Sequence, residues 1–173
     1  GVTIDKELKF DNYISQVCSK ANKKLNALSR MQSFLSVQKR KIIFKSFIES
    51  QFKYCPLVWM FCSRKSNDKI NRLHERSLRI VTNDFKSSYQ ELLTSCNSFS
   101  IHYQNIHRLA IEIYKVANDV SVGKFKNLFN FKDQYTLHVP SVNTELKGRN
   151  SIRYFGAIIW NSLPLSIKTA TTL

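Results

Sequence analysis

Lys69, Arg72, Arg76 and Arg79 follow one another at i, i+3, i+7 and i+10, the spacing that sets four cations along one side of an α-helix. A row of permanent positive charge suits a polyanion whose successive phosphates it can neutralise one after another. Ile70, Leu73, His74, Ser77, Leu78, Ile80 and Val81 share the opposite side, which belongs against a core. A second row, Lys20, Lys23 and Arg30, lies opposite the apolar residues Ile14, Val17, Cys18, Ala21, Leu25 and Leu28. Lys39, Arg40 and Lys41 stand near the start of a further helical stretch, where the macrodipole disfavours cations and would welcome an external anion. A charged helix face is most often simply solvated, but ordinary solvated faces mix both signs. Residues 1–80 hold 17 basic and 6 acidic side chains, a surplus of +11, whereas residues 81–173 hold 10 and 6, a surplus of +4. All ten of these cations, Lys20, Lys23, Arg30, Lys39, Arg40, Lys41, Lys69, Arg72, Arg76 and Arg79, are therefore candidate phosphate-backbone contacts, with nucleic acid the favoured partner over an anionic membrane.

Other chemistry is poorly provided for. Metal-assisted phosphoryl or nucleotidyl transfer needs carboxylates gathered about the ions, and the six Asp at 5, 11, 68, 84, 119 and 133 are each isolated. The four Gly, at 1, 123, 148 and 156, build no phosphate-cradling loop. Cys55, Cys62 and His74 do not have the spacing of an ordinary zinc site, and His102 and His107 are five apart. The chain is expected to carry no metal, no cofactor and no catalytic residue of its own. Trp59, Phe61 and Phe47 could serve as stacking platforms, but aromatic residues inside apolar runs usually belong to a core.

The elements that must position these side chains are helical. Asp11 is a possible N-cap for the first helix, Ser36 for a second running to about Tyr54, and Ser66 for the helix bearing Arg72. Pro56 interrupts the second before the apolar "LVWMF". Ser88 and Glu91 form a capping box ahead of Leu92 and Leu93. A long helix is expected from about Ile101 to Asn118, ended by Val122-Gly123. An extended or looped stretch covers 135–144, and a last short helix lies within 151–164, anchored by Trp160 and stopped by Pro164. "GVTID" (1–5) reads as the end of a strand. The fold class is mainly α: a basic helical bundle over residues 6–82, then a smaller helical lobe over 83–173 with an irregular or extended segment, joined near 82–88. The longest apolar run, 56–62, is far too short to span a bilayer. With no leader pattern and four cysteines without paired spacing, an intracellular protein of the cytoplasm or nucleus is expected.

Several stretches, in the same order, resemble the region downstream of the palm in reverse transcriptases of non-LTR retrotransposons of the jockey-like kind. "GVTIDKELKFDNYISQVCSKANKKLNALSR" resembles a strand of the form LGV-x-ID-x-x-L-x-F and the basic helix after it. "SFIESQFKYCPLVWMFCSRKSNDKINRLHERSLRIV" is similar to the thumb-like helices, with a Tyr-Cys-x-x-Val-Trp core and an Arg-rich helix. "FKSSYQELLTSCNSFSIHYQNIHRLAIEIYKVAN" and "GAIIWNSLP" match later blocks. The chain departs from the pattern at Thr136-Leu137-His138 and at Ser121-Val122-Gly123. The paired catalytic Asp of the family would lie upstream of "GVTID". The resemblance implies a thumb and C-terminal portion of an RNA-directed DNA polymerase, a fragment or decayed copy that is inactive alone. Its partners would be a template–primer duplex of RNA or DNA and an upstream palm, which would hold the Mg²⁺. Two alternatives stand beside it. One is a free-standing helical nucleic-acid-binding module with 69–81 and 88–96 as a loose helix-turn-helix, and the other is a translated remnant with no function.

Overall fold

A computed structural model describes residues 1–120, 123–144 and 148–170. It is mainly α, as expected, and divides into two compact units, Gly1–Gln104 and Asn105–Leu173.

The first unit is built on two long helices, α1 (Asp11–Arg30) and α4 (Arg64–Thr82). Between them α2 (Val37–Ile43) widens into a π-helical turn, Phe44–Ile48, and tightens into a 3₁₀ turn, Glu49–Phe52, before the short α3 (Pro56–Trp59). The short α5 (Tyr89–Ser95) follows α4, and α6 (Ile101–Ala117) begins within this unit. The apolar faces meet in one core that includes Ile14, Leu25 and Leu28 of α1, Phe44 and Ile48 of the π turn, Trp59, and Ile70, Leu78 and Val81 of α4. Leu92, Leu93 and Ile101 belong to the same core, which is why the unit boundary falls at Gln104 rather than near 82–88. Fully burying one such Leu or Ile contributes about 1.5–3 kcal/mol.

The helix starts are more specific than the sequence suggested. Phe10, in the left-handed region at φ 57°, is the N-cap of α1, so Asp11 is the first helical residue instead of the cap. No side chain caps α1; Asp5 instead orders the turn before it, its carboxylate accepting the backbone N–H groups of Glu7 (3.0 Å), Lys9 (3.0 Å) and Phe10 (2.6 Å). Residues 1–5 form no strand; a strand needs a hydrogen-bonded neighbour, and none of the described residues pairs with them. Ser63, not Ser66, caps α4 by accepting from the Ser66 N–H at 3.3 Å, and Ser66 is buried one turn on. Ser36 caps α2, and the box between Ser88 and Glu91 is complete in both directions. Pro56 occupies the first turn of α3, where its missing N–H costs nothing. Phe47, expected inward, is 57% exposed; it lies in the π turn, whose i→i+5 bonding takes one more residue than an α-helical turn and shifts the inward positions.

His74 is the most enclosed polar group on α4, at 1% exposure. Its Nδ1 lies 2.7 Å from the Tyr89 hydroxyl, its ring sits 5.7 Å from that of Phe44, and Glu49 is near enough to act on its charge. Burial drives its pKa down to about 4 from an ordinary 6.5, against the opposing pull of Glu49. Burial also pushes Glu49 up, but hydrogen bonds from Lys53 Nζ at 2.8 Å and Gln104 Nε2 at 3.1 Å outweigh it and hold the carboxyl below its usual value.

In the second unit, α6 continues to Ala117 and a 3₁₀ turn covers Gly123–Leu128. Two short antiparallel strands follow, β1 (Phe131–Asp133) and β2 (Thr136–Leu137), then α7 (Ile152–Ser162) and α8 (Leu165–Lys168). The proposed helix end at Val122 lies outside the described residues, but the last turn of α6 closes earlier, with Asp119 left-handed at φ 59°. Trp160 is buried as expected and donates its ring N–H to the Tyr135 carbonyl at 3.1 Å. Asn161 does more than its position suggests: its side chain accepts from the Leu137 N–H at 2.8 Å and donates to the Leu137 carbonyl at 2.9 Å, pairing as a neighbouring strand would. Gly156 lets α7 approach the Phe129 ring, which a Cβ would meet at 2.8 Å.

Two outcomes follow. Trp160→Ala removes both the packing and the bond to Tyr135, so the second unit should lose roughly 3–5 kcal/mol in chemical denaturation. Unfolded His74 takes up a proton between pH 6.5 and about 4 that the folded chain refuses. The His74 contribution to stability is therefore intact above pH 6.5 and falls as pH drops through that window, by about 3 kcal/mol in all. Urea melts across this range should show the slope in the native chain and its flattening in His74→Phe.

Candidate nucleic-acid interface

α1 and α4 lie side by side and point the same way. Lys69 Nζ donates to Ser15 Oγ at 3.1 Å, and Arg76 Nη1 donates to Asn22 Oδ1 at 2.6 Å, both across an offset of 54 residues. Arg76 also reaches the next turn of α1, with Nη2 donating to Asn26 Oδ1 at 2.9 Å. At the N-terminal end of the pair, Asp11 accepts the hydroxyls of Ser63 (2.6 Å) and Ser66. Those two bonds, that of Ser63 first, hold the Asp11 carboxyl below the usual carboxylate range. One carboxylate thus lies at the positive ends of two helix dipoles.

Between the helices runs a groove of about 360 Å³. Ser15, Ser19 and Asn22 line one wall and Lys69, Arg72 and Arg76 the other, with Cys18 and Leu73 at the floor. Burial pushes the Cys18 thiol up to about 11, so it is a neutral floor and not a nucleophile. No Asp or Glu lines the groove. The partners that fix Lys69 and Arg76 are hydroxyl and amide oxygens, which orient the cations without cancelling their charge. Arg72, between them, is exposed and makes no hydrogen bond to any described residue. The result is a row of three positive charges facing solvent, the outer two held in place by hydrogen bonds.

The remaining candidates divide. Lys20, Lys23 and Arg30 are exposed on α1. By helical rotation Lys23 and Arg30 fall beside the Ser15–Ser19–Asn22–Asn26 line, while Lys20 is turned further from it. Lys39 is exposed and Lys41 half-buried on α2. Arg79 is half-buried and its charge is partly answered by Glu75, one turn earlier at 2.7 Å.

Arg40 departs from the expectation altogether. It is 6% exposed, and its Nη1 donates to the Ile80 carbonyl at 3.0 Å. Ile80 is among the last four residues of α4, whose carbonyls have no partner inside the helix, so Arg40 serves as a side-chain cap at the negative end of the α4 dipole. A guanidinium committed there cannot lie along a phosphate backbone. Local patterning carries no sign of this, because the acceptor is a main-chain oxygen 40 residues away. The neutral members of the interface, Ser15, Ser19, Asn22 and Asn26, were also missed. Their signal was present as a small-polar stripe at i, i+4, i+7 and i+11 along the edge of the apolar face.

Among the described residues no three His, Cys, Asp or Glu side chains come together as a metal site. Cys55 is exposed and Cys62 half-buried, while His74 is enclosed by the core described above. Among the described residues no helix is long and apolar enough to cross a membrane. No protein-family model matches the chain, and neither a curated protein nor a solved structure matches it.

The distinct duties of the cations predict distinct losses. Arg40→Leu leaves the Ile80 carbonyl unpaired and should destabilise the first unit by about 1–3 kcal/mol in denaturant melts. Arg72→Gln, which breaks no bond to a described residue, should leave the melting midpoint within about 0.5 kcal/mol of the native chain.

Proposed function

We propose that the chain binds a nucleic-acid duplex through its sugar–phosphate backbone, without reading sequence and without catalysing a reaction. The observation that carries this reading is the row of Lys69, Arg72 and Arg76 along a groove, with Lys69 and Arg76 held by neutral oxygens rather than by carboxylates and Arg72 left exposed between them. From Lys69 to Arg76 the helix rises about 10 Å. One strand of a duplex advances about 3.4 Å per phosphate, so this row spans about three phosphates. Lys23 and Arg30 extend the positive surface along the neighbouring helix. Backbone contacts of this kind supply affinity and register but carry no sequence information.

The resemblance to the thumb and C-terminal region of a non-LTR retrotransposon reverse transcriptase supports the same reading and supplies a setting for it. The duplex would be a template–primer of RNA or DNA, and the upstream palm would supply the paired catalytic carboxylates and their Mg²⁺. A helix-turn-helix reading is less well supported. Its second helix, α5, exposes Gln90, Glu91 and Thr94 and carries no Lys or Arg to approach a phosphate backbone.

The test is the salt dependence of binding to a random-sequence duplex. Replacing Lys69, Arg72 and Arg76 with Gln removes about three released counterions, so the slope of log K against log salt should shallow by about 2.7. Sequence preference should stay flat. Asn22→Asp, which introduces a carboxylate beside Arg76 while keeping the shape of its partner, should shallow the slope by about one. A folded triple variant with the native slope would remove the duplex from this face.

A further inference from the structure

A second cavity in the first unit lies away from the cationic groove, on another side of α4. It measures about 730 Å³ and is walled by α5, the turn after it and the first turn of α6. Its lining holds no Lys, Arg, Asp, Glu or His. Asn71, Gln90 and Asn97 offer amides, and two exposed rings, Phe99 and Tyr103, stand together in its wall. Phe99 is 58% and Tyr103 53% exposed, with ring centroids 5.0 Å apart and planes inclined by 31°. Asn97 holds the turn at φ 47°, and Ser100 caps α6 by accepting from the Tyr103 N–H at 3.2 Å, so the ring-bearing turn is fixed. The side-chain oxygen of Asn71 is buried beneath the lining and has no hydrogen-bond partner.

A pocket without charge does not select a phosphate. Exposed rings beside amide donors and acceptors suit a flat, uncharged, hydrogen-bonding ligand, which is the chemistry of a nucleobase. We infer that this pocket receives an unpaired nucleobase of the strand whose duplex part lies against the α1–α4 groove. The inference rests on the duplex-binding reading and adds a single-strand site to it. By helical rotation Asn71 lies on a different side of α4 from Arg72 and Arg76. A strand leaving the groove would therefore cross the exposed surface of α4 before its base stacks on Phe99 and Tyr103. A neutral saccharide presents a similar mixture of flat and polar surface, and the experiment separates the two.

The full chain is titrated with a blunt duplex, with the same duplex bearing a three-nucleotide 2-aminopurine overhang, and with a neutral oligosaccharide. Stacking of one base should make the overhang duplex bind about tenfold more tightly than the blunt one and should quench 2-aminopurine fluorescence. Phe99→Ala/Tyr103→Ala should abolish the quenching and the tenfold advantage while leaving blunt-duplex affinity unchanged. Phe99→Leu/Tyr103→Leu, which retains apolar bulk and protects the fold, should do the same. Lys69→Gln/Arg72→Gln should weaken both duplexes equally and keep the ratio. Equal binding of blunt and overhang duplexes overturns the pocket and leaves the groove standing, as does quenching that survives both ring variants. Binding of neither duplex overturns both. Binding of the oligosaccharide alone, lost in the ring variants, assigns the pocket to a sugar.

Discussion

The parallel pairing of α1 with α4 is the constraint on which the rest of the first unit depends. Two helices that point the same way cannot be joined by a short turn. The chain must return about 30 Å, the length of a helix of this size, before the second can begin. That return is made by α2, the π turn and the 3₁₀ turn, and it brings Ser63 back to Asp11 at the shared N-terminal end. The apolar faces supply the attraction, and a polar ladder sets the register. Asp11 with Ser63 and Ser66, Ser15 with Lys69, and Asn22 with Arg76 keep nearly the same sequence offset along the pair. A slip of one turn would part Asp11 from Ser63 and Ser66, the rung that fixes the N-terminal end of the pair.

The same ladder explains why the surface stays strongly positive. Had Ser15 or Asn22 been acidic, each rung would have been an ion pair and the groove close to neutral. Neutral acceptors hold the cations in place at little electrostatic cost and leave their charge for an outside partner. The unfavourable side of this arrangement is mutual repulsion among Lys69, Arg72 and Arg76, which is tolerable because they face water.

Two buried polar groups secure the returning segment. Arg40 ties α2 to the C-terminal end of α4 through the Ile80 carbonyl. His74 of α4 is enclosed between Phe44 of the π turn and Tyr89 of α5, with Glu49 close by, so one imidazole joins three elements. Both groups gain specificity from partners that an apolar side chain could not satisfy, and both make the unit sensitive to loss of a single bond. In the second unit the adjacent pair Trp160 and Asn161 does comparable work, since each bonds a main-chain group of the β-turn and its second strand.

The periodicity of the chain was enough to place most helices. The core positions of α1 and α4, the Ser36 cap, the Ser88–Glu91 box and the buried Trp160 depend on neighbours within a few residues, and local physics decides them. The excess of cations on two helix faces was equally legible, because helical geometry converts spacing directly into direction. What those cations do was not. Arg40 and Arg72 have the same chemistry and both lie at helical spacing, yet one is enclosed against a carbonyl 40 residues away and the other faces solvent. Asp11 was read as a cap and instead joins two helices, and the boundary between units moved to Gln104 because Leu92, Leu93 and Ile101 found the first core. Each of these outcomes turns on a partner distant in sequence. Local propensity fixes which face of a helix is apolar, and only the packing of helices against one another fixes which charge is spent inside and which is left for a ligand.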